Sequence, residues 1–476
     1  MKKQAFNPYL PSWEYIPDGE PYVFDGRVYV YGSHDRYNGQ AYCLNDYVCW
    51  SAPVDDLGNW SYEGVIYKAT DEPENPSGQG CLYAPDVTQG PDGRYYLYYV
   101  LNSMHVVSVA VSDTPAGKYE FLGYVRYADG TRLGDREGDE PQFDPAVLTE
   151  GDKTYLYTGF CFAWDKSRSG AMATVLDKDM LTIIEDTVFV IPSGFYSEGS
   201  GFEGNEFFEA PSIRKIGDTY YLVYSSVQMY ELCYATSKNP TKGFTYGGVI
   251  ISNNDMGIDT YKPANKPMFY GGNNHGSIVQ IEDNWYVFYH RHTNGTNYSR
   301  QVCAERIDVL EDGTIPQVEL TSCGLNDGPL VGNGEYPTYI ACNLFCRDEN
   351  KYTGGMGGNG FWMDSQYPRL MQDGRDGDEE IGYIFNMTDS ATAGFKYFQN
   401  NETRITKIKV LGYASGIFEV KTEWDGKVLG TIPVGHNSHW NELDCDIPLP
   451  NGVHALYITY KGSGFVGLAS FTLKGQ

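Results

Sequence analysis

The sequence lacks the patterns of long helices and of membrane-spanning segments. Its 476 residues include no long stretch of helical periodicity, and no stretch approaches the roughly 20 apolar residues of a membrane helix. The N-terminus, MKKQAFNPYLPSWEY, has two lysines but no apolar segment behind them, so it does not resemble a signal peptide. We therefore expect a cytoplasmic protein that does not contact membranes.

Basic residues and closely spaced cysteines are also scarce. Lys and Arg number 35 against 62 Asp and Glu, a formal charge of −27, and such a surface repels nucleic acid and anionic lipid. The 10 cysteines form no CxxC pair and have no histidine at zinc spacing. We expect buried free thiols rather than a disulfide framework. Nothing in the sequence predicts an oligomeric state.

Aromatic residues and glycine are abundant, with 41 Tyr and 55 Gly, which favours strands and tight turns. Five aromatic segments recur every 59–67 residues, aligned on Tyr29, Tyr96, Tyr155, Tyr221 and Tyr286. They read GRVYVYG (26–32), GRYYLYY (93–99), KTYLYTG (153–159), TYYLVYS (219–225) and NWYVFYH (284–290). A period of this size, with several short strands per repeat, is typical of a β-propeller. The sequence thus predicts an all-β protein that begins with a five-bladed propeller.

One polar residue stands ten to twelve positions before each of these tyrosines: Asp18, Asp86, Asp144, Glu209 and His275. If the repeats are structurally equivalent, these side chains ring one end of the propeller axis. Two carboxyl groups at a fixed separation can cleave a glycosidic bond, and crowded carboxyls push their pKa values apart. For each acid alone, binding of a channel water or cation is the alternative interpretation.

The aromatic repeats end near Asp308, and the sequence beyond them has a different pattern. We predict a catalytic propeller over residues 1–325 and a Gly- and Pro-rich linker over 326–340. Residues 341–476 contain short alternating strands such as ITKIKVLGY (405–413) and HALYITYKG (454–462), which predict a β-sandwich of the jelly-roll type.

Several motifs together resemble glycoside hydrolase family 43 over residues 6 to about 325. They include NPYLP, YAPDV before GRYYLYY, FDPAV before KTYLYTG, and FEAPSIRKIGDTYYLVYSS. The resemblance implies a five-bladed propeller and an inverting mechanism. It makes Asp18 the general base and Glu209 the general acid, with Asp144 orienting Glu209 and raising its pKa. The usual Asp-Pro after the base is here Asp18-Gly19-Glu20-Pro21, so Glu20 is an alternative base.

The resemblance also implies substrate and metal contacts. His275 matches the axial histidine that helps to hold a structural calcium ion in many members, directly or through water. Arg300 stands at the position of an arginine that binds the sugar in the −1 subsite, although a surface salt bridge is the alternative. We further expect Asp86 to contact the substrate, and Phe143 and Trp164 to form an apolar wall for the sugar.

The C-terminal region resembles a family 6 carbohydrate-binding module, through EVKTEWDGKVLGTIPV and NGVHALYITYKGSGFVGLASFTL. Trp440 stands closer to the position of the module's core tryptophan than to its sugar-stacking one, so we favour a structural module that packs on the propeller. The expected function is exo-acting release of α-L-arabinofuranosyl or β-D-xylosyl units from plant-derived oligosaccharides. The alternatives are a galactosidase or endo-arabinanase of the same family, or a non-catalytic sugar-binding propeller.

Overall fold

The computed structural model describes residues 3–346 and 367–476, and the secondary structure in these ranges is almost entirely β-strand. The described helices are two single 3-10 turns, Ala69–Asp71 and Thr338–Ile340. Within the described ranges, no helix has the length and apolar character needed to cross a bilayer. The predicted all-β class is confirmed.

Five separate antiparallel sheets follow one another along the first part of the chain. Blade one has β1 (Glu20–Phe24), β2 (Arg27–Tyr31), β3 (Tyr47–Pro53) and β4 (Ser61–Tyr67). Blade two has β5 (Asp86–Gln89), β6 (Tyr95–Tyr99), β7 (Ser108–Ser112) and β8 (Glu120–Tyr124). Blade three has β9 (Ala146–Glu150), β10 (Lys153–Thr158), β11 (Gly170–Leu176) and β12 (Ile183–Pro192). Blade four has β13 (Phe207–Ile216), β14 (Thr219–Ser226), β15 (Glu231–Ser237) and β16 (Thr245–Ser252), and blade five has β17 (Ser277–Ile281), β18 (Asn284–His292) and β19 (Arg300–Ile307).

The first strands of the blades surround a common axis. Strand β9 contacts β5 and β13, β13 contacts β17, and β17 contacts β1. The predicted five-bladed propeller is therefore confirmed. In the described chain the fifth sheet has three strands, and the N-terminal segment covers its outer edge: the Asn7 side chain donates to the Ala304 carbonyl and accepts from the Ala304 N–H, both over 2.9 Å.

Apolar side chains on the two faces of each blade fill the spaces between neighbouring blades. Val30 and Val302 belong to one cluster between blades one and five, and Leu97 belongs to the next, between blades one and two. The alternation of side chains along each strand explains why the aromatic repeat segments are buried on both faces. These wedge-shaped cores hold the inner strands, and so the central side chains, at fixed positions.

The C-terminal strands form one continuous ten-stranded sheet that folds over itself as a β-sandwich. Its members are β20 (Leu330–Val331), β21 (Gly334–Pro337), β22 (Asn343–Cys346), β23 (Arg369–Met371), β24 (Tyr383–Met387), β25 (Ala391–Asn400), β26 (Arg404–Lys421), β27 (Gly430–Val434), β28 (Asn437–Pro448) and β29 (Gly452–Lys474). The long strand β26 pairs along its whole length with residues 457–474 of β29, and this pairing joins the two layers. Of the predicted C-terminal domain, residues 347–366 lie outside the described residues.

The segment 326–340, for which the sequence predicts a linker, contains two strands of this sheet. β20 pairs in parallel with β25, and β21 pairs antiparallel with β29. The Gly- and Pro-rich composition suggested irregular chain, but short edge strands tolerate both residues. This stretch is therefore part of the sandwich at Leu330–Val331 and Gly334–Pro337 rather than a free linker.

The two parts of the chain share one apolar core. A single cluster contains Ile250 and Phe269 from the propeller together with Ile340 and Phe395 from the sandwich. An ion pair crosses the same boundary: Lys396 Nζ lies 3.3 Å from Oδ2 of Asp255, which is fully buried as Lys396 is, and 3.0 Å from Oε2 of the partly exposed Glu319. All ten cysteines, each within the described ranges, are free thiols as predicted, and seven are buried as predicted, whereas Cys81, Cys323 and Cys445 are partly exposed.

Candidate active site

Strand pairing shows which residues of the five blades are equivalent. In every blade the first strand pairs with the second. The pairs at equivalent positions, blade by blade, are Glu20–Tyr31, Asp86–Tyr98, Ala146–Tyr157, Ser212–Val223 and Ser277–Phe288. Two residues before the first member of each pair stand Asp18, Ala84, Asp144, Ala210 and His275. The propeller therefore stacks two rings of side chains on its axis, an outer ring at the pocket and an inner ring beneath it.

The backbone of the outer ring is held in unusual conformations. Asp18, Asp144 and Ala210, at the same position in three blades, have φ values of 59°, 45° and 64°. Non-glycine residues in this left-handed region persist where the surrounding structure enforces them, often at functional sites. At Ala210 this conformation accompanies a register shift in β13 next to Glu209, so blade four contributes Glu209 to the pocket instead.

Close packing also positions His275. A Cβ atom on the next residue, Gly276, would lie 1.8 Å from the Phe288 carbonyl oxygen. Only glycine allows β17 to begin this close to β18, so His275 enters the pocket directly above the strand.

Asp18, Asp144, Glu209, His275 and Arg300 line one cavity of about 300 Å³ at the end of the axis. Its volume is at the lower end of the range for small-molecule sites. The cavity therefore brings together the three predicted catalytic acids, the predicted arginine and the axial histidine. Aromatic rings supply most of the remaining lining: Tyr42, Tyr83, Phe143, Phe160, Phe162 and Phe208.

Asp18 is surrounded by groups that favour its ionised form. Arg300 donates from Nη1 to Asp18 Oδ1 over 3.0 Å, and His275 Nδ1 lies 3.8 Å from the same oxygen. Burial alone would raise the pKa of Asp18, but the charge of Arg300 outweighs burial and lowers it. Asp18 is thus a carboxylate that can accept a proton.

The surroundings of Glu209 and Asp144 favour the protonated forms of these two acids. Burial, reinforced by the charge of Asp18, raises the pKa of Glu209 to about 8. Burial also raises the pKa of Asp144 well above its usual value, with contributions from Glu209 and Asp18. Since Asp144 itself tends to be neutral, it adds little charge at Glu209. The expected like-charge effect of Asp144 on Glu209 is therefore replaced by burial and by the charge of Asp18.

Arg300 lies in the pocket wall as an ion-paired residue. Its Nε and Nη2 atoms donate to Asp35 Oδ2 and Oδ1 over 2.9 and 3.0 Å, in the planar two-point geometry of guanidinium and carboxylate. Its guanidinium also lies 4.8 Å from the centre of the Tyr42 ring. Arg300 forms salt bridges, as in the alternative interpretation, but inside the site rather than on the surface.

A row of aromatic rings forms one side of the pocket. Phe143 packs against Phe160 at 5.2 Å between ring centres, and Phe160 packs against Phe162 at 4.9 Å. Trp164 is 75% exposed and stacks on Phe162 at 4.8 Å, so it continues the wall outside the cavity lining. Phe143 is placed in the cavity as predicted, whereas Trp164 lies at its outer margin.

The structure places Asp86, which was predicted to contact the substrate, outside the site. It is fully buried in the inner ring, outside the cavity lining, and its oxygens accept from the Tyr22 hydroxyl and from the Val87 and Val147 N–H groups. The hairpin of blade two explains the displacement. Its turn is one residue longer than in the other blades, so Asp86, ten residues before Tyr96, has the strand pairing that Glu20, nine residues before Tyr29, has in blade one, and Ala84 lies at the pocket.

Glu20, the alternative base, also lies in the inner ring. It is 1% exposed, and its Oε2 accepts from Arg214 Nη2 over 2.7 Å and from Ser212 Oγ over 3.0 Å. The carboxyl group therefore contacts other protein groups beneath the cavity and does not line it. This placement leaves Asp18 as the base candidate.

Sequence reasoning missed three kinds of site residue. His290 is fully buried, accepts the Asp18 N–H at Nδ1 over 3.3 Å, and contacts the Asn273 carbonyl from Nε2 over 2.6 Å. Burial and Arg300 lower the pKa of His290 to about 3, which keeps the ring neutral. Asp35 and the ring pair Phe160 and Phe162 were also missed, although GFCFAW alternates its aromatic residues along one side and could have indicated the wall.

The implied calcium ion can be compared with the donors near the axis. His275 Nδ1 lies 3.8 Å from both Asp18 Oδ1 and Asp144 Oδ2, and burial lowers the pKa of His275, so a neutral ring faces two acids. The described residues contain no group of three or more acidic, His or Cys side chains arranged to hold a metal. Ca²⁺ takes six to eight oxygen ligands. The described side chains do not supply such a shell by themselves.

Comparison with known proteins agrees with this site. The profile of glycosyl hydrolases family 43 matches residues 16–315. A xylosidase/arabinosidase from Thermoclostridium stercorarium is 71% identical over 473 residues, 99% of this chain and 99% of that protein. A xylosidase/arabinosidase from Bacteroides ovatus is 29% identical over 348 residues, 65% of this chain and 97% of that protein.

Solved structures of family 43 proteins have a fold similar to that of this chain. A family 43 β-xylosidase/α-arabinofuranosidase from a compost microbial metagenome has a TM-score of 0.51 at 27% identity and covers 65% of this chain and 96% of its own. A family 43 arabinoxylan arabinofuranohydrolase from Bacillus subtilis has a TM-score of 0.52 at 19% identity and covers 100% of this chain and 99% of its own, a likeness of fold alone. The chain is a glycoside hydrolase and belongs to glycosyl hydrolases family 43.

Proposed function

We propose that this protein is an inverting, exo-acting glycoside hydrolase that releases terminal α-L-arabinofuranosyl or β-D-xylosyl units from plant-derived oligosaccharides. The observation that carries the proposal is the opposite pKa shift of two carboxyls lining one small cavity. Asp18 is held ionised by Arg300, whereas burial raises the pKa of Glu209 to about 8. One group can take a proton and the other can give one at neutral pH.

The reaction follows from these two protonation states. Asp18 accepts a proton from a water molecule as the water oxygen forms a bond to the anomeric carbon. Glu209 donates its proton to the glycosidic oxygen as the bond from that oxygen to the anomeric carbon breaks. Attack on the face opposite the leaving group inverts the anomeric carbon. Proton exchange with solvent then returns Asp18 to the ionised form and Glu209 to the acid.

The remaining pocket residues have supporting roles in this proposal. Asp144 orients Glu209, and Arg300 holds Asp18 in place while its remaining donor capacity faces the sugar hydroxyls. The aromatic wall from Phe143 to Phe162 contacts the apolar face of the sugar. The cavity volume of about 300 Å³ favours removal of one terminal unit over internal cleavage of a long chain.

The pentose specificity rests on the relatives. The proteins at 71% and 29% identity are both xylosidase/arabinosidases, and the first aligns over 99% of both chains. A panel of nitrophenyl glycosides tests this part of the proposal. Cleavage of the α-L-arabinofuranoside or β-D-xyloside is expected. Cleavage of nitrophenyl galactosides alone would select a galactosidase. Cleavage of arabinan without cleavage of any nitrophenyl glycoside would select an endo-arabinanase, and no cleavage of either substrate would indicate a sugar-binding propeller.

Two further parts of the proposal concern the C-terminal sandwich and the metal. We propose a catalytic unit over residues 1–325 and a sandwich related to family 6 carbohydrate-binding modules, with a structural rather than a sugar-binding role. The packing of Trp440 against Tyr383, 5.0 Å between ring centres, supports a structural tryptophan. A structural calcium ion near His275 would draw most of its ligands from water, and no step above depends on it.

A further inference from the structure

The segment that follows β23 in the sandwich runs along the propeller loops beside the pocket. The Tyr15 hydroxyl donates to Gln372 Oε1 over 2.7 Å, and the Tyr37 hydroxyl donates to the Gln372 carbonyl over 2.9 Å. The Asn294 N–H donates to the Leu370 carbonyl over 2.7 Å. Residues 370–376 therefore contact three separate propeller loops, those before Asp18, after β2 and before Arg300.

Asp376 makes two further contacts to these loops. Its Oδ1 accepts the Tyr37 backbone N–H over 2.6 Å, and its Oδ2 accepts from Asn45 Nδ2 over 3.0 Å. Asn45 Nδ2 also donates to the Asp35 carbonyl over 3.1 Å. One carboxylate from the sandwich thus contacts both ends of the propeller loop 35–45, and hydrogen bonds to a charged acceptor are stronger than neutral ones.

The loop 35–45 contributes directly to the site. Tyr42 and Cys43 line the cavity, and Asp35 forms the two-point ion pair with Arg300. The loop also contains two non-glycine residues in the left-handed region, Asn38 at φ 59° and Cys43 at φ 57°. Asparagine adopts this conformation readily, whereas a cysteine persists in it where surrounding contacts enforce it.

We propose that Asp376 is a positioning residue: through Tyr37 and Asn45, the sandwich domain holds the loop 35–45 in the conformation that presents Tyr42 to the substrate and Asp35 to Arg300. The proposal rests on the proposed function for its catalytic consequence. It gives the C-terminal domain a defined part in the active site without any sugar contact of its own.

The experiment compares two substitutions within one short segment of the full-length protein. Asp376→Ala removes both contacts to the loop. Asp373→Ala is the matched control, because it removes the same charge and a 2.8 Å hydrogen bond that stays inside the sandwich, from the Tyr383 hydroxyl. Each variant is assayed for kcat and KM on the nitrophenyl pentoside that the unmodified protein cleaves best, at a temperature where all three proteins are folded.

A second readout does not depend on activity. Alkylation of Cys43 by iodoacetamide is followed by peptide mass spectrometry, with Cys49 in β3 as the internal reference. Both thiols are buried, and burial raises the pKa of Cys43 well above its usual value, so alkylation requires local opening. Loss of two charge-assisted hydrogen bonds is expected to raise the Cys43 rate about tenfold or more while Cys49 stays constant.

For Asp376→Ala we expect kcat/KM to fall about tenfold or more, mainly through KM because Tyr42 lines the binding cavity. Asp373→Ala should match the unmodified protein in both readouts. If Asp376→Ala raises the alkylation rates of Cys43 and Cys49 equally, the protein unfolds generally and the proposal is overturned. A higher alkylation rate of Cys43 with unchanged kcat/KM would also overturn it. So would a lower kcat/KM with an unchanged alkylation rate of Cys43. If the unmodified protein cleaves no glycoside, the proposed function fails, and the cysteine rates alone still decide whether Asp376 holds the loop.

Discussion

Arg300 donates from Nη1 to Oδ1 of Asp18 over 3.0 Å, so a guanidinium on the fifth blade directly contacts the base candidate on the first. The same arginine is fixed on its other side by Asp35. The ionised form of Asp18 is therefore stabilised by a contact between the last blade and the first. Charge on Asp18 in turn adds to burial in raising the pKa of Glu209, so one ion pair helps to separate the pKa values of the two carboxyls proposed as base and acid.

The stereochemistry of the product tests the assignment of Asp18 and Glu209. We expect their carboxyls to face each other roughly 6.5–9.5 Å apart, which leaves room for the attacking water. Proton NMR during the first minutes of cleavage of an aryl pentoside should therefore show the inverted anomer. Early appearance of the retained anomer would contradict the assignment and would require a covalent intermediate.

The two carboxyls should respond differently to the leaving group. Glu209→Ala is expected to abolish most activity on natural oligosaccharides, whose leaving oxygen needs a proton, and to spare aryl glycosides with good leaving groups. Asp18→Ala should impair both substrates because water must be activated in either case. Steady-state kinetics of both variants on both substrates provide the measurement. Equal losses in all four cases would remove this division of roles.

The pH dependence of kcat/KM should be bell-shaped. Glu209 acts in its protonated form, so activity is expected to fall as pH rises through about 8. Asp18 acts in its ionised form, and its lowered pKa places the acidic limb below the usual range of a carboxyl. Arg300→Gln removes the charge that lowers this pKa, so the acidic limb should move to higher pH as kcat/KM falls. An unmoved acidic limb would show that Asp18 does not set it.

Much of this site could be predicted from the sequence because the repeats place equivalent residues around one axis. The tyrosine alignment located Asp18, Asp144 and His275 in the outer ring. It failed at Asp86, because one extra residue in the hairpin of blade two gives that position the strand pairing of the inner ring. A one-residue change of register is invisible in a repeat of about 65 residues but changes the face and depth of a side chain.

Other features could not be predicted because they depend on contacts far apart in the chain. His290 and Asp35 do not line the cavity but contact Asp18 and Arg300, which come from other parts of the chain, so their local sequence carries little signal. The two strands within the predicted linker depend on pairing with β25 and β29, and no local pattern specifies that pairing. The Gly- and Pro-rich composition of residues 326–340 indicated a loop, whereas hydrogen bonds to distant strands make part of this stretch the edge of a sheet.

The inner ring should be structural and not catalytic. Arg214 is the cation that balances Glu20 and Asp86, and Arg214→Met is expected to destabilise the protein by about 3–5 kcal/mol because buried acids lose their partner. Adding Glu20→Gln to that variant should restore part of the loss. Chemical denaturation measures both effects. Glu20→Gln alone should keep near-normal kcat, and a collapse of kcat at unchanged stability would return Glu20 to the list of base candidates.

Removal of the sandwich should damage the propeller itself. Truncation after Cys323 cuts through the apolar cluster that contains Ile250 and Phe395, and it removes Lys396 from the fully buried Asp255 and the partly exposed Glu319. We expect lower solubility, a lower thermal midpoint, and reduced activity even on small aryl glycosides, because exposed apolar surface promotes association and the pocket loop loses Asp376. An independent sugar-binding module would behave differently: its loss would reduce activity only on polymers, where tethering raises the effective concentration. Light scattering, thermal unfolding and small-substrate kinetics of the truncated chain separate these cases, and a soluble, equally stable protein with unchanged kinetics would refute the structural role.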